Sequence, residues 1–201
     1  MGLGLRSAQD GYVGYVRAND EPFTMMAPAN AFGMAPNSGY TQEAYYKPSS
    51  VLYALMATLG HDEFYKAYRT YIRRWEYKHP TAYDFFDTFD DVTGRNLDPF
   101  WVQWFFTTEK LDQAVTAVRQ TGDRLSVTVR NVGQVYAPVD VTARTAAGRT
   151  VTWRVPMTAW YDGRTELTTT HAVPGRVTSV ELDAAHAFPD ADRANNVWQK
   201  P

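Results

Sequence analysis

The chain has 201 residues, 44% of them hydrophobic and 14% aromatic, enough for one large domain or two small ones and too apolar for wholesale disorder. A formal net charge of -2 with no long basic run leaves no electrostatic footprint for nucleic acid. The absence of cysteine excludes disulfides, thiolate metal sites and cysteine nucleophiles, and fits a bacterial envelope or secreted protein as well as a cytoplasmic one, so the compartment stays open.

No apolar run approaches the roughly 20 residues that span a bilayer, so no membrane span is expected. The first twenty residues lack the basic start and continuous apolar core of a signal peptide, so any export signal is expected upstream. Met1-Gly2 is not followed by Ser or Thr at position 6, which is Arg6, so the myristoylation pattern fails.

Residues 1–40 read as a loop-rich lead-in, with Pro22, Pro28, Pro36 and several Gly and Asn; only Tyr12 to Val16 has helical character. Four helices follow. Over 48–59, Val51, Leu52, Leu55, Met56 and Leu59 recur at helical spacing, with Pro48 suited to the first turn and Gly60 to the stop. Over 62–76, Phe64, Tyr68, Tyr71, Ile72 and Trp75 are expected on one face. Thr81-Ala82-Tyr83-Asp84 has capping-box spacing ahead of Phe85, Phe86 and Phe89, closed by Gly94. Asp98-Pro99 opens a helix burying Phe100, Trp101, Trp104 and Phe105.

From Val115 the period changes to two. Arg124 to Arg130 alternates cleanly, and 139–143, 150–155, 165–170 and 177–182 are further strand candidates, with Gly122, Gly148, Gly163 and Gly175 in the turns. Short strands at regular spacing over 85–90 residues predict an immunoglobulin-like β-sandwich. The expected fold class is therefore multidomain, α plus β: a helical unit over residues 1–111 and a sandwich over 112–201.

Chemistry is sparse. His61, His79, His171 and His186 form no His-Glu-x-x-His and no i, i+4 pair, so no metal site can be built locally. Asp84, Asp87, Asp90 and Asp91 cluster; Asp84 reads as a cap and the others as a solvated helix face rather than a paired-acid site. Asp190 to Asn196 is rich in oxygen but lacks the glycine and terminal glutamate of a calcium hand, and reads as Asx turns returning Val197 and Trp198 to the sandwich. Trp101, Trp104, Trp153 and Trp160 read as core or inter-domain packing rather than a sugar platform. No phosphate loop and no Gly-x-Ser-x-Gly elbow occurs.

Across residues 40–106 one ordered set of short motifs stands out: Tyr45-Tyr46-Lys47-Pro48, Leu59-Gly60, Tyr68 and Tyr71, Lys78-His79-Pro80-Thr81, Asp84-Phe85, and Gly94, Leu97, Phe100 and Trp104. In this order and spacing it resembles the M1 family of zinc metallopeptidases, the gluzincin aminopeptidases. The resemblance implies the helical C-terminal part of a gluzincin catalytic domain, followed by a sandwich like that attached to some bacterial members. It implies zinc and a peptide substrate in the complete enzyme. It also gives one residue a role: Tyr45, whose phenol would donate to the oxyanion of the tetrahedral intermediate, a sensible task for a neutral donor at a helix entry.

Two departures matter. Pro48 stands where the family commonly has Gly. More importantly, the family's His-Glu-x-x-His helix, downstream Glu and substrate amino-terminus segment precede the Tyr turn, and residues 1–40 hold none of them. Glu21 and Glu43, with Asp10 and Asp20, have no suitable histidine. The reading is thus a C-terminal portion of an M1-like enzyme, inactive alone, with the upstream catalytic half as its partner; the alternative is a non-enzymatic binding or scaffold module.

Overall fold

The computed structural model describes residues 3–31 and 39–200. The loop reading around Pro36 and the Met1-Gly2 pattern fall outside these residues. Among them lie five helices followed by seven strands: α1 (Leu3–Ala18), α2 (Lys47–Leu59), α3 (His61–Trp75), α4 (Ala82–Thr93), α5 (Asp98–Phe106), β1 (Gln113–Thr121), β2 (Arg124–Asn131), β3 (Val139–Thr145), β4 (Thr150–Val155), β5 (Glu166–Ala172), β6 (Val177–Leu182) and β7 (Val197–Gln199).

The lead-in expected to be loop-rich is helical over Leu3–Ala18. Its glycines argued against helix by propensity, but burial of Tyr12 and Val16 against the other helices outweighs that cost. Gly11 has a packing reason: a Cβ there would meet the Tyr46 ring at 3.0 Å. The other four helices form as their periodicity predicts. α2 buries Val51, Ala54 and Leu55 completely, and Gly60, at φ +91°, stops it. Thr81 and Asp84 form the capping box, the Thr81 N–H donating to Asp84 Oδ2 at 2.7 Å. Phe86 stacks on Trp101 with ring centres 4.7 Å apart, joining α4 to α5.

Two assignments of face need correction. On α3 the buried residues are Phe64 and Ala67, while Tyr68 and Ile72 are 37% and 45% exposed, because α4 and α2 cover only a narrow stripe of that helix. Asp90 is not on a solvated face. It accepts the Trp101 indole N–H at 2.9 Å and the Leu97 backbone N–H at 3.1 Å, fixing the turn between α4 and α5.

The strands build two antiparallel sheets, ordered β1-β2-β5 and β4-β3-β6-β7. Leu125, Val127 and Val129 alternate inward from one; Val139, Val141, Val180 and Leu182 face them from the other in a shared core. Trp160 closes this core, wholly buried, its indole N–H on the Ala137 carbonyl at 3.0 Å.

The helical core does not stop at α5. Leu111, from the connection after α5, and Val135, Ala137, Met157, Phe188 and Ala191 from the β region pack into it. The Tyr136 N–H donates to Gln103 Oε1 at 2.8 Å, and Arg154 ties the Ala57 carbonyl to Asp140. Gly133 lies so close to the connection between α5 and β1 that a Cβ would sit 2.2 Å from the Lys110 carbonyl oxygen. The residues from Asp190 to Asn196 make the expected Asx turns: Asp190 accepts the Gln113 and Asp192 N–H groups, and Asp192 caps a 3-10 turn over Arg193–Asn196. Burial pushes the Asp190 carboxyl up to about 6.

Candidate functional site: a tyrosine on a π-turn

Tyr45 lies on a π-helical turn, Gln42–Tyr46, that runs directly into α2. Proline explains the turn. Pro48 has no N–H to give, and in α register its ring would strike the carbonyl of Ala44 four residues back. The wider register relieves this: the Lys47 N–H reaches the Gln42 carbonyl, five residues away. Two serines repair the disturbed ladder. Ser49 Oγ donates to the Tyr45 carbonyl and Ser50 Oγ to the Tyr46 carbonyl, each at 2.7 Å.

The turn sorts side chains to opposite sides. Glu43 and Lys47, one turn apart, point into the protein, while Tyr45 between them is 56% exposed. Tyr40 meets Tyr45 edge to face, ring centres 5.8 Å apart at 78°. A hydrogen bond with Tyr45 raises the Tyr40 phenol above its ordinary range. Alongside, an apolar groove of about 310 Å³ runs between α2 and α3, lined by Leu52, Tyr53, Met56, Phe64, Tyr65 and Tyr68. Ser49, which holds the Tyr45 carbonyl, lies at its wall.

Beneath the turn is a buried charge cluster that reasoning from sequence missed. The side chains of Glu21, Glu43 and Lys47 are all 0% exposed. Lys47 Nζ contacts a Glu21 carboxylate oxygen, stands 3.6 Å from Glu43 Oε2 and reaches the Thr107 carbonyl at 3.5 Å. The Tyr12 hydroxyl donates to the other Glu21 oxygen. Burial, then the Glu21 charge, raises Glu43 to about 7 against the pull of Lys47. Burial likewise pushes the Tyr12 phenol well up, with Glu21 adding to it. Neither Glu43 oxygen has a hydrogen-bond partner among the described residues. The available signal was the Glu43/Lys47 spacing of four; Glu21 is distant in sequence and gave none.

Residues 19–104 match the model of the peptidase family M1 domain, which takes in the π-turn and every helix from α2 to most of α5. Over these residues the chain is similar to peptidase family M1. A crystal structure of Legionella pneumophila aminopeptidase A in complex with aspartic acid is similar over 92% of the chain, with TM-score 0.61 and 15% identity. That likeness concerns the fold, and it runs through both the helical and the two-sheet regions. The chain spans 22% of that protein's length. No curated protein matches it in sequence.

Family M1 implies zinc in the complete enzyme, and the described residues of this chain do not fit it. No group of three or more His, Asp or Glu among the described residues could hold a metal ion. His61 is exposed and turns to Asp62 and Tyr65; His79 is exposed after α3; His171 stacks on Trp153 with centres 5.0 Å apart; His186 is exposed at φ +53°. The carboxylates of α4 are likewise dispersed in role: Asp84 caps, Asp90 binds α5, and Asp91 pairs with Arg74 at 2.9 Å. Among the described residues no helix is long and apolar enough to cross a membrane.

Proposed function

We propose that this chain is a portion of an M1-type zinc aminopeptidase, and that its contribution to peptide-bond hydrolysis is the Tyr45 phenol. The observation that carries this reading is the exposed Tyr45 on a built π-turn inside the M1-matching segment. An uncharged phenol donates to an oxyanion as negative charge develops on a peptide carbonyl oxygen, and its proton stays on the oxygen at neutral pH. Tyr40 meets the Tyr45 ring edge to face and braces it on the turn. A peptide is the substrate class, and the apolar groove beside the turn offers room for one of its side chains.

Zinc chemistry falls outside this chain in our reading, since no group among the described residues fits the metal, and the chain alone is inactive. The helical residues to 111 and the strands from 112 form two domains joined by a packed interface. The order β1-β2-β5 over β4-β3-β6-β7 favours an immunoglobulin-like sandwich, in which strands one, two and five share a sheet and strands three and six share the other. The test is hydrolysis of aminoacyl substrates by this chain alone and by the chain joined to an M1 segment carrying His-Glu-x-x-His. Turnover by the joined protein only is expected. Zinc-dependent turnover by the chain alone overturns the reading.

A further inference from the structure

Lys47 and Tyr45 lie two residues apart on one turn and face opposite ways, so whatever fixes the lysine fixes the backbone that carries the phenol. Lys47 is anchored to three separate pieces of the fold: Glu21 in the segment after α1, Glu43 on the π-turn, and the Thr107 carbonyl just past α5. Glu21 is in turn held by Tyr12 of α1. Next to Lys47, Tyr46 lays its ring on Gly11 of α1. Buried ion pairs often stabilise no better than apolar side chains of the same shape, so stability alone does not account for three wholly buried charged groups. Fixing a geometry does, because a catalytic donor misplaced by about 1 Å loses much of its effect.

We propose that Lys47 is the positioning residue of Tyr45, pinning the π-turn to α1 and α5 through buried Glu21 and Glu43 so that the phenol is presented at one fixed angle. The inference rests on the reading of Tyr45 as the oxyanion donor. It also makes Tyr45 sensitive to charge. The groups facing Glu43 are Lys47 from α2, Glu21 from the segment after α1, and Tyr12 and Tyr15 from α1. With Glu43 protonated, Glu21 and Lys47 cancel; with Glu43 ionised, a net negative charge lies under the turn. Glu43 crosses between these states at about 7, and the backbone of the turn carries the change to Tyr45.

The experiment is NMR of the chain with carbon-13 at the tyrosine Cζ positions, the Tyr45 signal assigned by its loss in Tyr45→Phe. Between pH 5 and 8 the Tyr45 signal is expected to step with a midpoint near 7, and Glu43→Gln is expected to abolish the step. In the charge-free pair Glu21→Gln with Lys47→Met, the Tyr45 line is expected to broaden at least twofold while that of Tyr77, fully exposed after α3, keeps its width. A step that persists in Glu43→Gln, or a Tyr45 line unchanged in the double variant, overturns the proposal. Failure of the oxyanion reading is seen separately: Tyr45→Phe would then leave hydrolysis by the joined protein intact while the NMR coupling remained.

Discussion

The buried Glu43 makes the fold lose stability as pH rises, and Glu43→Gln should remove that loss. The ordinary value of this carboxyl is 4.5 and the folded protein raises it to about 7, mainly by burial. The fold therefore favours the protonated form. Its contribution is fully present below pH 4.5 and disappears as pH climbs through about 7. Linkage over this interval gives a loss of about 2.5 kcal/mol between pH 5 and pH 8, and residual screening by water trims this toward about 2 kcal/mol. Glutamine keeps the shape and stays neutral, leaving Lys47 paired with Glu21. Urea unfolding at both pH values measures the effect. The variant's advantage over the parent should grow by about 2 kcal/mol between pH 5 and pH 8. Parallel pH profiles for the two proteins would refute the reasoning.

Two further changes probe the frame around the site. Gly133→Ala places a Cβ 2.2 Å from the Lys110 carbonyl, where only backbone movement can relieve the clash, and should cost about 1–3 kcal/mol in urea unfolding; an unchanged midpoint would show that the two regions are not packed this tightly. Pro48→Ala restores an N–H at the position that forces the wide turn, so a structure of the variant should show Lys47 N–H on the Glu43 carbonyl instead of Gln42. Persistence of the π-turn would mean that the buried cluster, and not proline, sets the register.

The helices from α2 to α5 were legible because each carried both a period and a punctuation mark: Pro48 and Gly60, Thr81 and Gly94, Asp98-Pro99. The strands were legible from alternation, with β4 and β6 at the predicted bounds. α1 was not, since Gly4, Gly11 and Gly14 hide a helix whose formation depends on a tertiary contact, the Tyr46 ring on Gly11. Asp90 was misplaced for a related reason: its partner, the Trp101 indole, comes from the next helix, and no periodicity within α4 reports it. At the site, Tyr45 was legible through its motif, but the cluster under it was not. Glu21 lies 26 residues before Lys47, and only the fold brings them together. Proline at 48, a mere departure from the family pattern in sequence, becomes in three dimensions the cause of the turn that exposes the tyrosine.

The most direct measurement is the turnover number of Tyr45→Phe in the chain joined to a zinc-bearing M1 segment. Removing one oxyanion donor should lower kcat by about 10²–10³-fold, or about 2.7–4 kcal/mol, with little change in KM, since the bond is made to charge that exists only in the transition state. A kcat within twofold of the parent would contradict the role assigned to Tyr45.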